Sequence, residues 1–382
     1  MLHLERLKRD IATLGEHAVA RQRQRDAAVK TALRWLANAP PPSVLRERVA
    51  QAADAERAVA LPTGDAPLDR RFTHTAPPAR GTTLVAVDGS QIPPDRHAAV
   101  LYYLIQVGGL TFRYNGQAPT PHSEATLHFE ERELYDEDGL LITGQLGMRR
   151  SVAEATYLAA LVEEARDAQA PSPILALNDG PLLWPYSGRS HEEETAFPAY
   201  LAALGHIQKC GGIPVGFVER PGGSPLVELL RLGQATPPDE VSSQILTDRA
   251  LLAQALVPGE RSVWLTRSSA TNERHARAGQ AVWFCYLNVG EHGFPVIARI
   301  EVPDWAARQD AWMETLHAVL LHQARILHGN PYVLARAHEL AVVTRQDKAA
   351  LESILHRRLL EKGLVVRVSE KARQKAYLGK RK

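Results

Sequence analysis

The chain is poor in cysteine: Cys210 and Cys285 are the only two in 382 residues. Their wide separation argues against a disulfide framework, offers no zinc-ligand cluster by spacing, and points to a reducing compartment. Long apolar runs are also missing. No stretch of about 18 apolar residues suggests a membrane span, and the start, Met1-Leu2-His3-Leu4-Glu5-Arg6, lacks the apolar core of a signal peptide. A cytoplasmic protein is therefore expected. Excess charge of either sign is absent, the formal net charge being +2, so the whole molecule neither demands nor forbids a polyanionic partner. There is no fixed-period repeat and no Walker A loop, so the chain itself is not expected to hydrolyse ATP.

What is present is a globular composition, 45% hydrophobic and 23% charged, long enough for a sizeable core. Basic residues cluster at Lys371, Arg373, Lys375, Lys380, Arg381 and Lys382, and at Arg21, Arg23 and Arg25. A terminal basic run is commonly a solvated tail, so by itself it identifies no partner. Residues 1–60 read as helical, with Leu4, Leu7, Ile11 and Leu14 forming a stripe and Pro40-Pro41-Pro42 a break. Residues 62–78 read as a linker. The expected organisation is a helical extension and linker over 1–78 and a catalytic domain over 79–382.

Within that domain the apolar patterns predict strands at 82–88, 98–107 and 110–114, the last extending through 126–129. A helix follows over 148–167 and a strand over 173–179. The order is strand, strand, strand, helix, strand, with a largely helical final third. Two strands end alike, in Leu84-Val85-Ala86-Val87-Asp88-Gly89-Ser90 and Ile174-Leu175-Ala176-Leu177-Asn178-Asp179-Gly180. Fully apolar strands are buried on both faces, and the crevice beyond their carboxyl ends is the usual ligand site of α/β sheets. Glycine after each aspartate allows positive φ and close approach of a ligand, although an Asp-Gly pair can also simply make a turn.

Glu154 falls on the apolar face of the intervening helix, with Ala155, Leu158, Leu161, Val162 and Ala165. A carboxylate driven toward low dielectric needs a partner, either Arg150 one turn earlier or a bound cation. If the helix crosses over to lay the fourth strand parallel to the first, Asp88 and Asp179 become neighbours beneath Glu154. Three carboxylates would then suit Mg²⁺ or Mn²⁺ and in-line hydrolysis of a phosphodiester.

This order resembles the ribonuclease-H-like fold, an α/β mixed sheet, here with helical N- and C-terminal additions. The residues also resemble the NurA nucleases of DNA end resection. That likeness rests on Val87-Asp88-Gly89-Ser90-Gln91, Arg149-Arg150 ahead of Glu154, and Leu177-Asn178-Asp179-Gly180-Pro181-Leu182. It continues through Thr247-Asp248-Arg249, Pro258-Gly259-Glu260-Arg261-Ser262, Gly329-Asn330-Pro331 to His338, and Ser369-Glu370-Lys371-Ala372-Arg373. The resemblance implies a manganese-dependent DNA nuclease, with Mg²⁺ as the other candidate ion. Such a nuclease would act as a 5'–3' exonuclease, a single-strand endonuclease or both. It would be a homodimer working on DNA ends with a HerA-type hexameric ATPase. Metal and catalytic roles map onto Asp88, Glu154, Asp179 and His338. Asn330 stands where the family often has an aromatic residue.

On pattern alone His338 reads as a packed histidine on an apolar helix face; the resemblance makes it a ligand or proton relay. His317, His322 and His328 lack the spacing of a helical metal pair. Arg149, Arg150, Arg249, Arg274, Arg277 and Lys371 are candidates for phosphate contacts, as well as for ordinary solvent-facing positions. Rival readings are a haloacid-dehalogenase-type phosphatase and a non-catalytic DNA-binding scaffold. The phosphatase needs an acid where the chain has Ser90; in the scaffold the carboxylates would only make salt bridges. A serine hydrolase on Ser90 lacks the Gly-x-Ser-x-Gly elbow.

Overall fold

The computed structural model describes residues 4–52, 59–98, 100–136, 139–171, 173–186, 190–234, 241–242 and 244–364. Lys371 and the basic C-terminal cluster fall outside them. In chain order the strands are β1 (Ala60–Pro62), β2 (Phe72–Thr73), β3 (Thr83–Ile92), β4 (Tyr103–Arg113), β5 (Thr120–His128), β6 (Ile174–Asp179), β7 (Gly212–Val218), β8 (Glu260–Arg261), β9 (Leu265–Arg267), β10 (Val282–Asn288) and β11 (Ile297–Pro303). Contacts divide the chain into two compact units. One takes described residues of 80–178, 185–212 and 333–382; the other takes those of 1–79, 179–184 and 213–332.

The first of these units is built on an antiparallel meander of β3, β4 and β5, with β6 laid parallel to β3. Leu84, Val85, Ala86 and Val87 of β3 are fully buried, as the unbroken apolar run requires of a strand covered on both faces. The strand does not end at Asp88 as its sequence suggests but continues to Ile92, pairing Asp88 with Gly108 and Ser90 with Gln106. The expected strands at 98–107 and 110–114 are one strand, β4, and the third strand of the meander is β5.

Gly108 and Gly109, which read as a break, are the places where helices press on that strand. A Cβ on Gly108 would meet Ala341 N at 2.4 Å, and one on Gly109 would meet Leu161 Cδ1 at 2.7 Å. Alternation of side chains along a strand puts these contacts on opposite faces. The helix Tyr332–Ala341 thus covers one face of the meander and the helix Leu146–Asp167 the other. The latter buries Leu158, Leu161, Val162 and Ala165, as its stripe predicts; each fully buried Leu or Val adds ~1.5–3 kcal/mol.

The second unit holds an antiparallel path β1-β9-β10-β11-β7, with β8 on β10 and β2 on β8. Residues 60–62 and 72–73, at and within the expected linker, therefore pair as strands. The N-terminal helix, Leu4–Ala37, contributes Ala28, Ala32 and Leu36 to this unit's core, beside Leu45, Leu229, Leu251 and Phe284. Its expected stripe is not what packs: Leu4, Ile11 and Leu14 are exposed. No helix among the described residues is long and apolar enough to cross a membrane.

Candidate active site

Asp88 and Ser90 point to the face of β3 covered by the helix Tyr332–Ala341. His338 Nδ1 lies 2.6 Å from Asp88 Oδ2, across 250 positions of sequence, and the other carboxylate oxygen, Oδ1, accepts the Gly89 amide at 2.8 Å. Ser90 Oγ donates to the Ala341 carbonyl, and Gln106 Nε2 donates to the Leu340 carbonyl at 3.4 Å. These strand side chains satisfy carbonyls that the end of the helix leaves unpaired, which fixes the turn carrying His338. Asp88 is largely covered, 16% exposed, whereas the imidazole is 62% exposed and accessible.

Gly89 faces the other way. A Cβ there would lie 2.4 Å from Glu154 Oε1 and 3.0 Å from Arg150 Cγ. Glu154 is buried, and its Oε1 is 3.1 Å from Arg150 Nε, an ion pair that is not aligned as a hydrogen bond. The carboxylate occupies space that only glycine leaves open at this point of the strand. Asp88 and Glu154 therefore approach Gly89 from its two sides: one through the amide, the other through the missing side chain. Positive φ is not needed at Gly89; Gly180, by contrast, sits at φ +124°.

Asp179 ends β6, one residue after Asn178, whose partner on β3 is Val87. Its side chain is exposed, and it belongs to the second unit with residues 180–184. That segment is held tightly. The Gly180 amide donates to Phe217 O at 2.9 Å, and Glu301 Oε2 accepts the amides of Leu182 and Leu183 at 2.8 and 2.9 Å. Glu301 is buried, paired to Arg299 at 2.7 Å. A Cβ on Gly216 would strike Leu182 N at 2.5 Å.

The NurA domain matches residues 82–343. The chain belongs to the NurA family. The matched span takes in the meander, its two covering helices and His338, and leaves the N-terminal helices and the last helix outside. Three solved structures are similar: a crystal structure of NurA (11% identity, TM-score 0.42), one of NurA with manganese (10%, 0.42) and one of NurA bound to dAMP and manganese (13%, 0.37). Each match covers 75% of this chain and 90%, 91% and 90% of the other chain respectively. No curated protein matches the chain. Family membership rests on the domain match.

Several expected phosphate ligands of this NurA chain are engaged internally. Arg149 forms two hydrogen bonds to Glu192, both 2.8 Å, and reaches Tyr103 Oη at 2.8 Å and Glu133 O at 2.7 Å. Burial alone would lower its pKa, but the bonds to Glu192 and Tyr103 outweigh that and hold it above the ordinary guanidinium value. It is a structural tie rather than a free cation. Arg150 is occupied by Glu154, and Arg249 is half-buried in the second unit. Lys371 lies outside the described residues.

Of the family motifs, Thr247-Asp248-Arg249 is a double cap. Thr247 accepts the Ala250 amide, while fully buried Asp248 accepts Leu226 N and Val227 N at 2.9 Å each and the Tyr286 hydroxyl at 2.5 Å. Sequence reasoning missed Glu301 and Gly216, which seat the segment after Asp179. The signal for Glu301 was one acid inside the apolar run Ile297-Ala298-Arg299-Ile300-Glu301-Val302. A pocket of about 600 Å³ is lined by Ile105, Val107, Arg149, Tyr157 and Glu192 and lies on the same face of the meander as Glu154.

Proposed function

We propose that this protein is a metal-dependent DNA nuclease of NurA type, with a ribonuclease-H-like core and with Asp88, Glu154, Asp179 and His338 as its metal-binding and catalytic residues. The observation that carries the reading is the gap at Gly89. A buried carboxylate inserted where a side chain is missing, with a second carboxylate on the same glycine's amide, is an arrangement that folding alone does not require. By chemistry the donors suit a hard or borderline divalent ion, carboxylate oxygens favouring Mg²⁺ or Mn²⁺ and an imidazole tipping the preference to Mn²⁺; no three of them bring ligating atoms within 4.8 Å of one another, so a bound ion would have to draw them together. When bound, such an ion would supply activation of water and neutralise charge on the phosphate.

The residues themselves do the rest. Asp88 Oδ2 holds the His338 ring at Nδ1, 2.6 Å away, which fixes its orientation. Hydrolysis adds a water oxygen to phosphorus and breaks one P–O ester bond, and the leaving oxygen takes a proton that His338 is positioned to carry. Arg150 pairs with the buried Glu154 across 3.1 Å. Glu301 and Gly216 hold the segment that follows Asp179.

The substrate reading is DNA ends, cut as a 5'–3' exonuclease, as a single-strand endonuclease or both, in a cytoplasmic homodimer that works with a HerA-type ATPase. These finer points rest on family resemblance. A second reading, a non-catalytic DNA-binding scaffold, is favoured by the ion pairs Asp88–His338 and Arg150–Glu154, which satisfy the acids without metal. Incubation of the purified chain with end-labelled duplex and single-stranded DNA in Mn²⁺, Mg²⁺ or EDTA, with and without the ATPase, separates the two. Cleavage that needs metal supports the nuclease; DNA binding without cleavage in every condition leaves the scaffold.

A further inference from the structure

The sequence offers no zinc cluster by spacing, yet packing assembles one set of mixed donors away from Asp88. Glu163 lies on the helix Leu146–Asp167; His206 lies on the helix His191–Lys209, and Cys210 is the cap of that helix. His206 and Cys210 are four residues apart, so one helical turn places them on the same side. His206 Nε2 is 3.0 Å from Glu163 Oε2 and 3.7 Å from Cys210 Sγ, and one ligand atom from each residue lies within 4.8 Å of the others. Tetrahedral zinc, with Zn–N and Zn–O of about 2.0–2.1 Å and Zn–S of about 2.3 Å, has ligand–ligand edges of roughly 3.3–3.6 Å. The two short separations bracket that range.

We propose that Glu163, His206 and Cys210 form a binding site for a thiophilic divalent ion, best suited to Zn²⁺, with water in the fourth position. A thiolate, an imidazole and one carboxylate are a borderline-soft set, unlike the carboxylate-rich donors around Asp88. Access is open: His206 is 43% exposed while Cys210 is buried beneath it. Arg166 now stands against the thiol, Nη1 to Sγ at 3.3 Å, but it also holds Asp167 through Nε at 3.0 Å and Nη2 at 2.7 Å. It can leave the sulfur and keep an ion pair.

On binding, the Cys210 S–H bond breaks, the proton passes to solvent, and the sulfur lone pair goes to the ion. The bound ion would fasten the helix that carries Glu154 to its neighbour, independently of any ion at Asp88.

Cobalt is the probe, because Co²⁺ bound to a thiolate shows a sulfur-to-metal charge-transfer band that oxygen and nitrogen donors do not give. Titration of the metal-free full chain with Co²⁺ is expected to raise that band to one equivalent, to lose it on adding Zn²⁺, and to show it in Cys285→Ser but not in Cys210→Ser. His206→Gln, on the exposed side, is expected to weaken Co²⁺ binding at least about tenfold while leaving the circular dichroism unchanged. No band in the folded wild type, or a band that survives in Cys210→Ser, overturns the proposal. If Cys210→Ser fails to fold, unchanged affinity in His206→Gln overturns it.

Discussion

Gly89 is the residue on which the proposed centre turns, because the space of one methyl group separates β3 from Glu154. Gly89→Ala puts a Cβ 2.4 Å from Glu154 Oε1 and 2.9 Å from its Cγ, so the glutamate must move. A displacement on the order of 1 Å in a catalytic group costs roughly 10²-fold in rate. Gly89→Ala is expected to retain the wild-type circular dichroism while cleavage falls by about that factor; full activity in a folded Gly89→Ala protein would remove Glu154 from the centre. Asp88, Glu154 and Asp179 could be picked out in the sequence because acids that end apolar runs or sit on apolar helix faces conflict with their surroundings. Glu301 was passed over for want of a partner visible in sequence: the amides it accepts are 118 and 119 positions away. The bonds of Arg149 to Glu192, 43 positions away, were hidden for the same reason.

Between elements, the helix Tyr332–Ala341 closes tightly on β4 at Gly108. A Cβ on Gly108 would meet backbone, at 2.4 Å from Ala341 N and 2.6 Å from Ala337 O, and backbone in a helix has no room to yield. Gly108→Ala is expected to lower stability by ~1–3 kcal/mol, as overpacking does, and to reduce cleavage by shifting His338. Gly109→Ala meets only the end of the Leu161 side chain and should cost less. Urea denaturation of the two variants checks this; equal midpoints would contradict the asymmetry. The same glycines explain why one strand was read as two. Local propensity treats a Gly-Gly pair as a breaker, whereas here the pair is kept in register by neighbours on both sides and serves to admit helices. The order of meander, helix and parallel strand was nonetheless legible, because it depends on long apolar patterns rather than on boundaries.

For the whole molecule, acid stability follows from three buried groups. His275 accepts the Trp184 amide and His317 pairs with the Gly259 carbonyl, and burial lowers each pKa from 6.5 to about 4. Their contribution is complete above pH 6.5 and is lost as the pH falls toward 4, at most about 3.5 kcal/mol each on a scale of ~1.4 kcal/mol per pKa unit. Burial raises Asp248 from 3.8 to about 6, so its contribution has the opposite sign: present below 3.8 and lost as the pH rises through 6. The two histidines outweigh the one aspartate. The urea midpoint is expected to fall between pH 6.5 and 4, less steeply in His317→Gln, which keeps a donor for Gly259, and more steeply in Asp248→Asn. An unaltered slope in His317→Gln would contradict a buried neutral imidazole. Each of these groups reaches its partners only through tertiary packing, so nothing in their local sequence announces them. The packing of the N-terminal helix through Ala28, Ala32 and Leu36 was hidden in the same way behind a more conspicuous leucine stripe.

The central claim is that DNA cleavage depends on the acids that meet at Gly89. Single-turnover cleavage of end-labelled DNA in Mn²⁺ by the wild type, Asp88→Asn and Glu154→Gln, all verified as folded, tests it most directly. Cleavage by the wild type that is abolished by EDTA and reduced at least about 10²-fold in both variants is the predicted result. Equal rates in wild type and variants, or cleavage that persists in EDTA, would contradict it.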